Sequence, residues 1–372
     1  MRKQANINNP NLRKSNFELL RIIAMTMIIA HHVAVHSGFS FASDSISVNR
    51  LWIQLIEMGG KIGVNIFVLI SGYFMITANS IKTTKVINLW LQIFTYSFGF
   101  FLAVALLSPD SFSMDALIKS AMPITFSKWW FASTYFVLYL ISPYVNKLLN
   151  SFDKKQYQRF LALLLFCWCI IPTLLSKSWQ SSDLLWFVFL YALAGYVRLY
   201  TDIRSIKRST CILLTVIIIA LTFLSVIALD ILGTKNAFAA KYATYFYGMS
   251  KLPVLLISLL LFLGFATTNI GCIPLVNAIA STCFGIYLIH DNNYVRLVLW
   301  NMIFHNTRFQ ESSFLIPYTL LQVVIVFVAC GIVELLRIHL IERAYSKLVG
   351  NMSKWANGKL EKIFSHKIFE KF

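Results

Sequence analysis

The chain has 372 residues, 58% hydrophobic and 13% charged, with a mean hydropathy of +0.69. Soluble domains run at about 45–50% apolar and about 25% charged, so a water-soluble globule is excluded, and the apolar runs are continuous where barrel strands would alternate. The formal charge of +18 would suit a nucleic-acid surface, but the cations lie in short clusters between apolar runs, and nucleic acid is excluded as a partner.

The spacing predicts an all-α polytopic membrane bundle of about ten helices. Arg2, Lys3, Arg13 and Lys14 precede the first span, at 17–37. The second, 53–77, is followed by Lys82 and Lys85, and the third is 86–107. The fourth, 130–149, leads into Lys147, Lys154, Lys155 and Arg159, and the fifth is 160–176. The sixth, 184–200, leads into Arg198, Arg204, Lys207 and Arg208. The rest are 210–232, 250–268, 277–302 and 314–341, with a basic run from Arg337 to Lys371. Cations gather in alternate connections, which by the positive-inside rule puts both termini in the cytoplasm. The ninth span, interrupted or bordered by Asn277, Asn292 and Asn293, is read as running from the outside inward, with His290 inside the bundle beside Asp291.

Residues 1–342 read as one transmembrane domain and 343–372 as a basic amphipathic cytoplasmic tail, "KLEKIFSHKIFEKF" included, lying on the anionic inner leaflet. The first apolar run is long and lacks a small-residue cleavage pattern, so it is expected to stay as a span. The six cysteines form no CxxC pair and read as small core residues. No internal repeat is visible. The connections 38–50 and 108–128 are the longer outward ones, suited to covering a site open to the outside.

Within the first span, "LLRIIAMTMIIAHHVAVHSG" carries Arg21, His31, His32 and His36. Ionisable groups at membrane depth are costly, which marks them as a functional candidate. At 100° per residue, Arg21 and His32 share a face about 16 Å apart along the axis, with His36 one turn above His32 and His31 pointing off to the other side. Snorkelling is an alternative account of Arg21, and a hydrogen-bonded bundle role one for a histidine. Zinc at His32 and His36 lacks a third ligand, so no metal is expected. A neutral imidazole there is the natural general base.

Arg21 and His32 within "NFELLRIIAMTMIIAHH" resemble the first-span signature of the acyltransferase-3 family of membrane acyltransferases. "GGKIGVNIFVLISGYFMI" at 59–76 resembles its second-span pattern, "WWFASTYFVLYLISPYVNKLL" at 129–149 its fourth, ending in Pro143, and "STCFGIYLIHDN" at 281–292 its late Tyr-Leu-Ile-His segment. "SIKTTKVINLWLQ" departs from the family in holding only Lys82 and Lys85 where several arginines and a proline are usual, and Asn65 replaces a common aspartate.

The resemblance implies transfer of an acyl group, commonly acetyl, from acyl-coenzyme A as co-substrate to a hydroxyl of a capsule or exopolysaccharide, or of its lipid-linked precursor, at a bacterial plasma membrane. His32 would be general base or covalent acyl carrier, and Arg21, Lys82 and Lys85 would bind donor phosphates. His36, Asn65, Ser71, Tyr73 and His290 are supporting candidates, with Asn65, Ser71 and Tyr73 the candidates for stabilising an oxyanion. Ser71-Gly72 also reads as close helix packing, Trp129 and Trp130 as interfacial anchors, and Glu334 with Arg337 as a salt bridge. A proton-coupled flippase for a lipid-linked sugar is the competing function, and a pH sensor a third.

Overall fold

A computed structural model describes residues 15–42, 44–175, 177 and 179–365, with side chains described to 357 except at 347. The N-terminal cations Arg2 to Lys14, and the end of the predicted tail, lie outside the described residues. No strand occurs among the described residues. The principal helices are α1 (Ser15–His36), α2 (Val48–Glu57), α3 (Gly59–Met75), α4 (Thr83–Leu107), α5 (Met114–Ala121), α6 (Trp130–Asn150), α7 (Lys154–Leu175, with a π turn at Phe166–Ile170), α8 (Asp183–Tyr200), α9 (Arg208–Gly233), α10 (Leu252–Ala266), α11 (Pro274–His290), α12 (Leu315–Arg337) and α13 (Arg343–Ser365).

Among the described residues, eight helical stretches are long and apolar enough to cross a membrane; α11 is shorter, and α6 is not among the eight. Each of the ten predicted spans contains helix among the described residues, and the molecule is a helical membrane bundle. Local chemistry sets many boundaries. Ser47, Ser113 and Ser182 accept backbone N–H groups at the starts of α2, α5 and α8, and Asp153 with Gln156 closes a capping box on α7. Pro143, expected at the end of the fourth span, lies inside α6, which runs on to Asn150. Proline cannot donate to the Tyr139 carbonyl, and the Ser142 hydroxyl donates to it instead at 2.8 Å.

Contacts fix the direction of each helix. The Ser15 N–H donates to Gly271 O at 3.1 Å, and the Ser15 hydroxyl bonds Asn277 at 2.8 Å, so α11 starts beside the start of α1. His32 meets His290 at the far ends of the same two helices. The ninth span therefore runs parallel to the first, which corrects the expected inward direction; with alternating spans, odd-numbered ones share a direction. Asn306 donates to Ser37, and Gln310 pairs with Ser40, placing the start of α12 at the His36 end. Thr83 bonds Asn357, so α4 begins where α13 packs, and both ends of the described chain lie at the Ser15 end.

Close approach of α3 to α1 depends on missing side chains. A Cβ on Gly63 would stand 2.6 Å from Ala24 O, and one on Gly60 would enter the His31 ring. On the opposite side, a Cβ on Gly72 would stand 2.6 Å from Tyr191 O of α8, which bears out the packing reading of Gly72. At the His36 end, buried Arg50 donates to Ala42 O, Ser45 O and Asp230 Oδ1, tying the 38–47 connection and α2 to α9.

The buried cysteines 169, 211, 283 and 330 are core residues, while Cys272 is exposed and Cys167 half-buried. Trp129 is 2% exposed and Trp130 half-buried, so neither is the lipid-facing anchor expected from sequence. Trp129 is the N-cap residue of α6, and Trp130 faces the interior cavity.

Candidate functional site

An interior cavity of about 340 Å³ is bounded by α1, α3, α4, α6 and α11. From α1 it is lined by Glu18, Arg21, Met25, Ile28 and His32, whose spacings of three and four residues make one continuous stripe. From α3 come Gly60 and a second such stripe of Lys61, Val64, Phe67 and Ser71. Trp130, Phe131 and Tyr135 of α6, Leu89 and Gln92 of α4, and Phe284 and Tyr287 of α11 complete the wall. The shared face of Arg21 and His32 expected from helix geometry is thus the face of a real cavity, with the cation at the Ser15 end and the imidazole toward the His36 end.

Arg21 is not a bare charge. Its Nη1 lies 2.7 and 2.9 Å from the two carboxylate oxygens of Glu18, which is 5% exposed. Sequence reasoning passed over Glu18, although an acid three residues before an arginine on the same stripe was the signal available.

The histidines form an ordered network. His290 Nδ1 lies 2.6 Å from Ile286 O, and since a carbonyl only accepts, that nitrogen donates. In the neutral ring this leaves the lone pair on His290 Nε2, 2.8 Å from His32 Nδ1, so His32 donates to His290. His32 consequently carries its own lone pair on Nε2. The tautomer is set by a backbone carbonyl through two rings. His31, expected to point away, instead lines the cavity; its Nδ1 donates to Glu57 O at 2.6 Å and its ring rests against Gly60. His36, expected on the polar track, is not on the cavity wall. Its Nε2 lies 3.5 Å from Asp291 Oδ1, and its ring packs on His32 with centroids 5.0 Å apart.

The break in helix at Asp291 and Asn292, which splits the expected 277–302 span, makes this corner. It turns the chain so that Arg296 Nη1 comes within 3.4 Å of Asp291 Oδ1 and 3.5 Å of His36 Nε2. Asp291 Oδ1 is also 3.9 Å from His32 Nε2. His32, His36 and Asp291 present ligand atoms within 4.8 Å of one another, supplying the third ligand that sequence spacing did not show. The carboxylate of that trio already faces the Arg296 guanidinium, so its charge is balanced from within the chain.

The remaining predicted residues separate into two groups. Ser71 lines the cavity, donating to Phe67 O at 2.9 Å and lying 3.1 Å from the Tyr135 hydroxyl. Asn65 and Tyr73 do not reach it: Asn65 donates to Met249 O and accepts from Trp186 Nε1, while the Tyr73 hydroxyl accepts from Arg198. Lys82 and Lys85 are exposed at the start of α4. Lys85 stands one turn before Leu89 on the stripe that continues to Gln92, so it lies in line with the cavity at its Ser15 end.

Glu334 and Arg337 form the expected pair, with Arg337 Nε and Nη2 at 2.8 and 2.9 Å from the carboxylate. Glu334 also accepts from the Tyr96 hydroxyl and from Gln92 Nε2 at 2.8 Å, which connects this buried pair to the cavity wall. Lys61 was not singled out in the sequence. An ionisable residue in an apolar span was its signal, and its Nζ lies 4.7 Å from the Trp130 ring centroid.

No curated protein and no solved structure matches the chain. The sequence model of the acyltransferase-3 family, described as an acyltransferase domain, matches residues 14–334 and so takes in every helix of the cavity. The chain therefore belongs to the acyltransferase-3 family and is a membrane acyltransferase.

Proposed function

We propose that the chain moves an acyl group, most simply acetyl, from acyl-coenzyme A bound at the Ser15 end to a hydroxyl presented at the His36 end. The acceptor is a cell-surface polysaccharide of capsule or exopolysaccharide type, or its lipid-linked precursor, and the setting is a bacterial plasma membrane with the Ser15 end inward. The observation that carries this reading is the single cavity reaching from Arg21 to His32. A donor made in the cytoplasm and an acceptor outside require a passage of that kind.

Donor phosphates meet Arg21, Lys82 and Lys85, with Arg21 held in place by Glu18. The thioester reaches up between α1 and α3. His32 Nε2 takes the proton of the attacking hydroxyl, contributing about 10²–10⁴-fold as a general base. His290 is a positioning residue that holds His32 in the tautomer with the free lone pair. The Asp291 carboxylate, 3.9 Å from Nε2, meets the positive charge that develops there. His36 and Arg296 hold Asp291 in turn.

The test is mass spectrometry and proton NMR of surface polysaccharide from cells with the gene intact, deleted, or carrying His32→Ala at matched protein levels. Loss of O-acyl signal in both altered strains, with polymer amount unchanged, is the expected outcome. Unchanged acylation with altered polymer export would overturn the reading in favour of a flippase.

A further inference from the structure

We propose that Lys61 is a catalytic cation of this cavity, its ammonium placed to stabilise the oxyanion that forms on the acyl carbonyl when the acceptor hydroxyl attacks. The assignment rests on the reading of His32 as general base in an acyl-coenzyme A dependent transfer.

Among the described residues two full cations line the cavity, Arg21 and Lys61. Arg21 has its counter-ion in Glu18. Lys61 has no carboxylate within 4.0 Å among the described residues; its partner is the face of Trp130, a neutral ring that orients the ammonium without cancelling its charge. A cation without a contact ion pair beside an apolar wall in the membrane interior is expensive to maintain, and it is suited to a negative charge that exists only during reaction.

Its place is fixed by the backbone. His31 is bonded to Glu57 O at the junction of α2 and α3, and its ring fills the space that a Cβ at Gly60 would need. Lys61 is the next residue, so the first turn of α3 is locked against the very turn of α1 that carries His31 and His32. The other donors considered on α3 are already used. Asn65 is bonded to Met249 O and Trp186, and Tyr73 faces Arg198. Ser71 spends its proton on Phe67 O, so the Tyr135 hydroxyl donates to Ser71.

The step balances. His32 Nε2 removes the acceptor hydroxyl proton, the oxygen bonds to the thioester carbon, and the carbonyl electron pair moves onto oxygen opposite the Lys61 ammonium. Collapse re-forms the carbonyl and breaks the C–S bond, and the coenzyme A thiolate receives the proton from His32. Ester and free thiol are the products, with no oxidant or reductant.

The experiment uses purified full-length protein in lipid nanodiscs, radiolabelled acetyl-coenzyme A, and envelope membranes of a gene-deleted strain as acceptor. Transfer of label to polysaccharide is followed while each substrate is varied, and a non-reactive thioether analogue of acetyl-coenzyme A reports donor binding. Lys61→Met is expected to lower kcat by about 10²–10³-fold, with analogue Kd, acceptor KM and thermal midpoint unchanged. Lys61→Gln should show the same split, so either folded variant decides the matter, and Lys61→Arg, which keeps the charge, should stay well above both. Wild-type kcat in a folded neutral variant, or a loss confined to analogue Kd or acceptor KM, would overturn the role of Lys61. Absence of label transfer by the wild-type protein would instead overturn the acyl-transfer reading itself.

Discussion

His32 shows how a single residue's chemistry is set by atoms remote in sequence and only two hydrogen bonds away in space. The Ile286 carbonyl orients His290, and His290 orients His32. His290→Ala should therefore lower kcat by about 10–10²-fold, a part of what a general base supplies. His290→Gln, whose amide oxygen can accept from His32 Nδ1, should recover some of the loss while donor binding stays constant in both. Arg21 offers a second test. Removing it leaves the buried Glu18 carboxylate without its partner, so Arg21→Ala should weaken coenzyme A binding and destabilise the fold by about 1–3 kcal/mol. Adding Glu18→Ala should restore stability without restoring binding, read by thermal unfolding and by donor Kd. The Arg21 to His32 alignment was legible from helix periodicity alone. Glu18 and Lys61 were not singled out, because the sequence shows charge but not which charges face one cavity; Asp291 was read only as the neighbour of His290.

Among the elements, α3 and α11 carry the closest packing. A Cβ at Gly285 would overlap the carboxyl group of Glu334, whose partners are Arg337, Tyr96 and Gln92. Gly285→Ala should therefore cost more than about 2 kcal/mol, seen as a lowered thermal midpoint. Gly99, in the middle of α4, has nothing within 4 Å of the place an alanine methyl would take, and Gly99→Ala should be neutral or stabilising by up to about 1 kcal/mol. Existence and order of the helices were readable from apolar run lengths, since the hydrocarbon core sets the length of a span. The break at Asp291 was signalled by Asn292 and Asn293, but what holds it was not. It falls in the polar run His290 to Asn293, and it is held by contacts with α1 and with Arg296 that no local propensity encodes.

Across the whole molecule, the ends of the described chain share one face of the bundle, and Cys272 is exposed on that face beside Asn277. With that face inward, a membrane-impermeant maleimide should label Cys272 in inverted vesicles and not in intact cells; labelling from outside would reverse the orientation drawn from the cation distribution. The sequence by itself determined that the chain is a helical membrane protein, where its spans lie, and that Arg21 and His32 share a face, because bilayer thickness and the 3.6-residue turn act on contiguous residues. Only the tertiary structure decided that α11 runs parallel to α1, that His31 and not His36 lines the cavity, that Asn65 and Tyr73 are occupied elsewhere, and that Lys61 stands among the histidines. Those outcomes depend on helix rotation and on glycine-mediated approach between segments as far apart as the 258 residues that separate His32 from His290.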